Sequence, residues 1–138
     1  MLQKEKIKTI KKINVDVVTL DDFLRKKRKP SLVRMDVEGY EYQIIKGMMK
    51  LIASRDPLVI FIELHPHLMK KEKTSFVLKT LKENGFDIMK ISKCWTRVQE
   101  ITKGPPPEHS FNTMDDLIND DLLLDGKRGA FEIFFKRD

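Results

Sequence analysis

One short segment constrains the fold of this chain more than any other. Leu58-Val59-Ile60-Phe61-Ile62 is an almost continuous apolar run, and it follows the turn signal Asp56-Pro57. A run without polar alternation is typical of a strand that is covered on both faces, as in a parallel sheet with helices packed on either side. The segment therefore predicts an α/β domain.

The rest of the chain alternates between strand-like and helix-like patterns. Further strands are predicted at 15–20, 31–37, 86–91 and 130–136, and helices at 21–28, 40–53, 73–84 and 113–124. This order favours one α/β domain over residues 1–138 with a mainly parallel sheet. Residues 1–12 are predicted to form a basic N-terminal segment, and residues 94–129 a long loop that carries the short acidic helix. Thr113, with Asp116 three residues later, is the predicted cap of that helix.

Composition narrows the class of protein. Hydrophobic residues make up 41% of the chain and charged residues 35%, which favours a packed core under a well-solvated surface. No apolar run approaches the roughly 20 residues that span a bilayer, and the N-terminus has no apolar stretch typical of a secretory signal. The single cysteine, Cys94, excludes an internal disulfide and a Cys-rich zinc site. These features predict a cytoplasmic protein with no membrane partner.

The positive charge is concentrated at one end of the chain. Residues 1–29 hold ten of the 27 basic residues and four of the 21 acidic ones, so the remainder is balanced and the net charge is +6. Such an end could contact nucleic acid, anionic lipid or an acidic partner, or it could simply be a solvated terminus. A nucleic-acid partner is disfavoured, because Phe23 is the one aromatic residue among these charges.

Polar side chains collect where two predicted strands end. Asp36 and Glu38 stand at the end of the strand at 31–37, and Glu63 and His65 at the end of the next one. Ligands of α/β sheets lie beyond the carboxyl ends of the strands, and parallel neighbours are about 5 Å apart, so we expect these groups to converge. They could remove a hydroxyl proton or bind a divalent ion. Alternatively, the two acids only cap the following helix, and the imidazole only makes a hydrogen bond.

The same residues carry a resemblance to a known family. The segments Val17-Val18-Thr19-Leu20-Asp21-Asp22-Phe23-Leu24, Leu32-Val33-Arg34-Met35-Asp36-Val37-Glu38-Gly39-Tyr40-Glu41, Ile44-Ile45-Lys46-Gly47 and Ile62-Glu63-Leu64-His65-Pro66 resemble the signature of the FkbM methyltransferases. Arg34 stands where that family usually has lysine.

The resemblance implies a Rossmann-like class I methyltransferase sheet with an antiparallel last strand. It also implies S-adenosylmethionine as cofactor and O-methyl transfer to a small-molecule or sugar hydroxyl. We assign Asp36 and His65 to the proton and to substrate orientation, as catalytic residues, with Glu38 and Glu63 as substrate-binding supports. No metal ligand is assigned.

One departure from the family pattern is large. The fold binds its cofactor mainly through a Gly-x-Gly turn after the first strand, whereas no two of the six glycines here stand two residues apart. The strand at 15–20 would be about the third strand of the parent fold, so the chain resembles a C-terminal half that lacks the N-terminal strands. Cofactor-binding residues are left unassigned, and catalysis by the isolated chain stays open. A non-catalytic binding or regulatory module is the alternative. A second copy or the missing N-terminal half is the predicted partner, and a second copy or the chain's own basic N-terminal segment is predicted to cover the open edge of the strand at 31–37.

Overall fold

The computed structural model describes residues 12–94 and 111–138. Four strands are present in these ranges: β1 (Leu32–Met35), β2 (Leu58–Leu64), β3 (Asp87–Lys93) and β4 (Phe131–Arg137). The helices are α1 (Leu20–Leu24), α2 (Glu41–Lys46), α3 (Met49–Ala53), α4 (Lys71–Glu83), α5 (Met114–Ile118) and α6 (Asp121–Leu124). Among these helices, none has the length and apolarity needed to cross a membrane.

The four strands form one mixed sheet in the order β1-β2-β4-β3. β1 and β2 are parallel neighbours, whereas β4 is antiparallel to both β2 and β3. Three strands therefore share one direction, and the last strand of the chain runs against them. This confirms the α/β prediction and the antiparallel last strand. The described sheet is mixed rather than mainly parallel as predicted, because β4 lies between β2 and β3 and leaves β1 and β2 as the one parallel pair.

The core is built on one face of β2. Its alternate side chains Leu58, Ile60, Ile62 and Leu64 are at most 2% exposed, whereas those between them are half-buried. On the second face Phe61 stacks on Phe134 with ring centroids 4.2 Å apart. The prediction that this apolar run is fully covered on both faces is therefore wrong for the residues described. Aromatic stacking between strands, rather than a full layer of side chains, shields the second face.

The strand predicted at 15–20 is absent. Within the described ranges no strand pairs with this segment, and Val15, Val17 and Val18 are 64–91% exposed. Thr19 instead caps α1, because its hydroxyl accepts a hydrogen bond from the main-chain N–H of Asp22 at 3.1 Å. β-branched residues favour a strand only where a neighbouring strand and a packed face are available.

The helix predicted at 40–53 is two helices that meet at Gly47 and Met48. Asp21 causes the break from a distance: its N–H donates to the carbonyl of Gly47 at 2.9 Å, and its carboxylate accepts from the N–H groups of Lys50 and Leu51 at 2.8 and 3.0 Å. The first contact occupies the Gly47 carbonyl, which a continuous helix would use for its own hydrogen bond. The second satisfies the N–H groups of Lys50 and Leu51, which have no partner within α3.

The acidic helix predicted at 113–124 is also divided, into α5 and α6. The Thr113–Asp116 capping box opens α5 as predicted. Asp120 then ends the run, because its carboxylate caps α6 by accepting from the N–H of Leu123 at 2.7 Å and pairs with Arg128 at 2.8 Å. Residues 95–110 of the predicted loop, and residues 1–11 of the predicted basic segment, lie outside the described residues.

Candidate functional site

A tight turn connects the end of β1 to α2. Tyr40 N–H donates to the carbonyl of Val37 at 3.2 Å, and the two residues between them have φ values of +48° at Glu38 and +94° at Gly39. Positive φ at both central positions defines a type I′ turn. A Cβ at Gly39 would lie 2.7 Å from Cβ of Leu68, so the packing of Leu68 also requires glycine here. The turn places the Glu38 side chain at the carboxyl edge of the sheet.

Glu41, the first residue of α2, forms a buried pair with His65. The two side chains are 0% and 5% exposed, and Glu41 Oε1 lies 2.7 Å from His65 Nδ1. The same oxygen accepts a hydrogen bond from Gly39 N–H at 3.3 Å, whereas Oε2 is buried and has no partner among the described residues. An ionised Glu41 can only accept, and with this partner Nδ1–H is the donor of the bond and Nε2 is the nitrogen left for chemistry.

Nε2 of His65 faces a group of carboxylates. Glu63 Oε1 lies 3.5 Å away and Glu38 Oε2 lies 3.8 Å away. Asp36, Glu38 and His65 each offer one ligand atom, and these atoms all lie within 4.8 Å of one another. Asp36 is also held by Arg34 at 3.4 Å. The four residues predicted to converge therefore meet at one edge of the sheet. Asp36, Glu38 and His65 could share a proton, a hydroxyl or a divalent cation.

The environment raises the pKa of His65 above its ordinary value of 6.5. Burial alone lowers this pKa, because a low-dielectric site disfavours the charged ring. The hydrogen bond and charge of Glu41 act in the opposite direction, together with the charges of Glu38 and Glu63, and they outweigh burial. The imidazole is therefore a stronger base than a free histidine.

A second group of side chains adjoins this one through Glu63. Ligand atoms of Glu63, Cys94 and Glu132 lie within 4.8 Å of one another, and Glu63 stands opposite Glu132 in the register of β2 and β4. Burial raises the pKa of Cys94 to about 12, helped by these two acids and by Asp36. The thiol is therefore protonated at neutral pH, as is typical of a structural rather than a reactive cysteine.

Two alternatives from the sequence can now be compared with the contacts. The N-cap of α2 is Tyr40, with no side-chain cap hydrogen bond, so neither Asp36 nor Glu38 caps this helix. His65 does make a strand-end hydrogen bond, but its partner is a buried acid and its second nitrogen faces two more. Sequence reasoning missed Glu41 as that partner. The acid was visible in the Glu38-Gly39-x-Glu41 motif, and its position in the first turn of a helix was the available signal.

This arrangement defines an α/β protein with an imidazole and several carboxylates at the carboxyl edge of its sheet. A family model described as the methyltransferase FkbM domain matches residues 2–88, which is more than half of the chain. The chain belongs to the FkbM methyltransferase family. The match contains Asp36, Glu38, Glu41, Glu63 and His65 and ends within β3. Comparisons with curated proteins and with solved structures found no match.

FkbM methyltransferases generally use S-adenosylmethionine, but Gly39 and Gly126 do not form a cradle for it. Neighbouring residues pack against two of the glycines with positive φ. A Cβ at Gly39 would lie 2.7 Å from Cβ of Leu68, and a Cβ at Gly126 would overlap Cα of His67. Their missing side chains therefore make room for neighbouring chain and not for a ligand.

Proposed function

We propose that this chain forms the acceptor side of an S-adenosylmethionine-dependent O-methyltransferase whose substrate is a hydroxyl of a small molecule or a sugar. The observation that carries the proposal is the Glu41–His65 pair, whose free nitrogen Nε2 faces Glu38 and Glu63. A Rossmann-like class I sheet is part of the same proposal. It is supported by the family match and by an antiparallel last strand beside three strands that share one direction.

The site is suited to proton removal from a hydroxyl group. Methylation of a hydroxyl requires that its oxygen lose a proton, and a positioned base assists this loss. Nε2 of neutral His65 takes the proton, while Glu41 holds Nδ1–H and stabilises the imidazolium that forms, as the acid does in an acid–histidine dyad. Asp36, at the outer side of the cluster, is the alternative acceptor of the proton and orients the substrate.

The neighbouring acids suit an acceptor with several hydroxyl groups. The side chains of Glu38 and Glu63 are 76% and 26% exposed. Both carboxylates can therefore accept hydrogen bonds from a ligand that reaches His65. An ionised carboxylate only accepts, and hydroxyl groups donate to it readily. A sugar or polyol, which presents adjacent hydroxyls, therefore fits this edge better than an acceptor with a single polar group.

Acceptor binding tests this proposal without requiring the cofactor. The probes are glucose, mannose and N-acetylglucosamine with their deoxy analogues, and the readout is the ¹⁵N shift of His65 Nε2 on titration. We expect at least one hexose to move this resonance, with a loss of affinity when a hydroxyl is removed. His65→Gln and Asp36→Asn should weaken binding, detected then by saturation transfer to the sugar. Asp87→Asn, at the opposite end of the sheet, is the matched control.

Two results would argue against the acceptor site. One is that no hexose shifts the His65 resonance. The other is that hexoses bind His65→Gln and Asp36→Asn as tightly as the unaltered protein.

A second candidate function is a binding or regulatory module that keeps the family fold without catalysis. The packing of Leu68 against Gly39 and of His67 against Gly126 favours it, because neither of these glycines is open to a cofactor. The module and the enzyme differ in one measurement. If hexoses bind but methyl transfer from radiolabelled S-adenosylmethionine is absent even when a polypeptide that carries the N-terminal half of the fold is added, the module is the better description.

A further inference from the structure

The imidazole of His65 has one nitrogen whose surroundings leave it without a hydrogen bond. The side chain is 5% exposed, and Glu41 occupies Nδ1 at 2.7 Å. The carboxylate oxygens that face Nε2 lie 3.5 Å away, from Glu63, and 3.8 Å away, from Glu38. These distances are longer than ordinary hydrogen bonds, so Nε2 has no hydrogen-bond partner among the residues that the structure describes. A buried nitrogen that faces several acids points to a ligand that both kinds of group can bind.

The spacing of these groups suits one shared cation. Asp36, Glu38 and His65 each offer one ligand atom, and the three atoms lie within 4.8 Å of one another. Around a tetrahedral Zn²⁺ with bonds of about 2.1 Å, ligand atoms are roughly 3.4 Å apart. Nε2 and Glu38 Oε2, at 3.8 Å, are close to that separation. The side chains of Asp36 and Glu38 are 36% and 76% exposed, so both can turn toward a cation without disturbing the core.

The charge at this edge of the sheet favours a cation. Asp36, Glu38 and Glu63 bring three carboxylates to the same edge, and Arg34, which pairs with Asp36 at 3.4 Å, offsets part of their charge. Like charges held a few ångströms apart are unfavourable, whereas a divalent cation between them is attracted to each. A bound cation therefore stabilises an arrangement that the fold imposes on these acids.

Glu41 prepares His65 for coordination. A histidine that binds a metal through one nitrogen almost always donates from the other to a carboxylate or a carbonyl, which fixes the tautomer and orients the ring. Here Glu41 Oε1 accepts from Nδ1–H, and it also accepts from Gly39 N–H at 3.3 Å, so the acid is itself held in place. This carboxylate–histidine pair points to a metal ion independently of the acids on the other side of the ring.

We propose that Asp36, Glu38 and Nε2 of His65 bind one divalent transition-metal ion such as Zn²⁺, with Glu41 as the positioning residue behind the ring. Imidazole suits zinc and its neighbours, whereas Mg²⁺ and Ca²⁺ prefer oxygen ligands throughout. Three protein ligands leave the fourth position of a tetrahedral site to water, and the carboxylate of Glu63 is placed to accept a hydrogen bond from that water.

The cation also regulates the proposed methyl acceptor site, and this consequence rests on the proposed function. Nε2 cannot take a proton from a hydroxyl while its lone pair binds a metal. The carboxylates of Asp36 and Glu38 then bind the cation and are no longer free to accept hydrogen bonds from a sugar. The metal and a hexose therefore compete for the same groups, and the metal-bound site is closed to the acceptor.

Metal titrations of the full chain test the site. The chain is treated with EDTA, exchanged into metal-free buffer and titrated with Zn²⁺, Mg²⁺ or Ca²⁺ by calorimetry. We expect one Zn²⁺ per chain, bound roughly a hundredfold more tightly than Mg²⁺ or Ca²⁺. In ¹⁵N spectra the Nε2 resonance of His65 should shift while Nδ1 keeps its proton.

Co²⁺ distinguishes this site from the neighbouring group that contains a thiol. Glu63, Cys94 and Glu132 also bring three ligand atoms within 4.8 Å of one another. Co²⁺ at Asp36, Glu38 and His65 should give visible d–d bands without the thiolate-to-cobalt charge-transfer band that coordination by Cys94 produces.

Substitutions of the two exposed ligands separate the site from the general surface. Asp36→Asn and Glu38→Gln should each weaken Zn²⁺ binding by roughly tenfold or more, and neither removes a core contact. Asp87→Asn and Glu83→Gln make the same chemical changes at exposed positions outside the site and should leave binding unchanged. Glu41→Gln keeps all three ligands and removes the acid behind the ring. It should weaken Zn²⁺ binding while the d–d bands of bound Co²⁺ keep their shape.

Three results would overturn the metal site. The first is no saturable Zn²⁺ binding, or binding of Mg²⁺ that is equally tight. The second is unchanged Zn²⁺ affinity in both Asp36→Asn and Glu38→Gln. The third is a thiolate band in the Co²⁺ spectrum, because it would assign the ion to Cys94.

Competition with the acceptor is measured separately. Hexose affinity, followed by saturation transfer, should be roughly tenfold lower in excess Zn²⁺ than in EDTA, because the two ligands use the same groups. Equal or tighter hexose binding with Zn²⁺ would overturn the competition and leave the metal site in place. Zn²⁺ binding by a chain that binds no hexose in EDTA would remove the proposed acceptor site, together with its regulation, and not the metal site.

Discussion

His65 Nδ1 lies 2.7 Å from Glu41 Oε1, and neither side chain is more than 5% exposed. The pair joins the end of β2 to the first turn of α2, which follows the end of β1, and so it links the two strand ends that carry the acidic cluster. Removing one partner would leave the other buried without its hydrogen bond, which costs stability because a buried polar group then has no partner. The contact therefore serves both the fold and the base strength of the imidazole.

Glu41→Gln is expected to lower the pKa of His65. The substitution keeps the shape of the side chain and removes the negative charge that, with its hydrogen bond, opposes the effect of burial. The titration midpoint of the His65 ring, followed by NMR, should fall. Glu83→Gln makes the same chemical change at an exposed position on α4 and should leave the midpoint where it is. A midpoint that stays constant in Glu41→Gln would show that the acid does not set the base strength.

The stability of the protein should depend on pH through the same residue. The pKa of His65 in the folded state is raised above the ordinary 6.5, so protonation favours folding. This contribution is fully present below about pH 6.5 and is lost as the pH rises through the raised pKa of the folded state. The difference in unfolding free energy between the unaltered protein and His65→Gln, measured by urea at several pH values, should shrink over that window. A difference that grows with pH would contradict the assignment.

Gly39→Ala should destabilise the protein more than Gly129→Ala. Both residues have positive φ, +94° and +80°, which costs an alanine roughly 1–2 kcal/mol. A Cβ at Gly129 meets nothing within 4 Å, whereas one at Gly39 meets Cβ of Leu68 at 2.7 Å. Overpacking of this kind adds roughly 1–3 kcal/mol. Urea denaturation of both variants measures the difference, and equal losses would mean that Leu68 moves aside freely.

Local pattern was enough to predict several elements. β1, β2 and α4 lie where the apolar patterns put them, because each pattern is continuous and ended by a turn residue. The convergence of Asp36, Glu38, Glu63 and His65 also followed from sequence, since parallel neighbours align their carboxyl ends.

Other features depend on residues far apart in the chain, and pattern could not predict them. Asp21 breaks the helix at Gly47 and caps α3 from almost 30 positions away. The sequence did not distinguish Glu41 from the other acids of its motif, because its position beside His65 depends on the fold. The segment 15–20 has the composition of a strand, but a strand needs a neighbour, and composition does not report whether one is there.

The isolated chain should bind S-adenosylmethionine weakly or not at all. Polar contacts to such a ligand come largely from a glycine turn that lets the main chain approach, and no two glycines in this chain stand two residues apart. Gly39 and Gly126 have positive φ values, but Leu68 and His67 pack against them. Neither glycine therefore offers the space that such a turn needs. Calorimetric titration with S-adenosylmethionine and with S-adenosylhomocysteine should therefore give no saturable heat at micromolar concentrations.

A dissociation constant in the low micromolar range for either ligand would contradict this account, because it would require a cofactor site built from other residues. The titration is independent of hexose binding at His65, so a chain that binds the sugar and not the cofactor would still support the acceptor side of the proposed function.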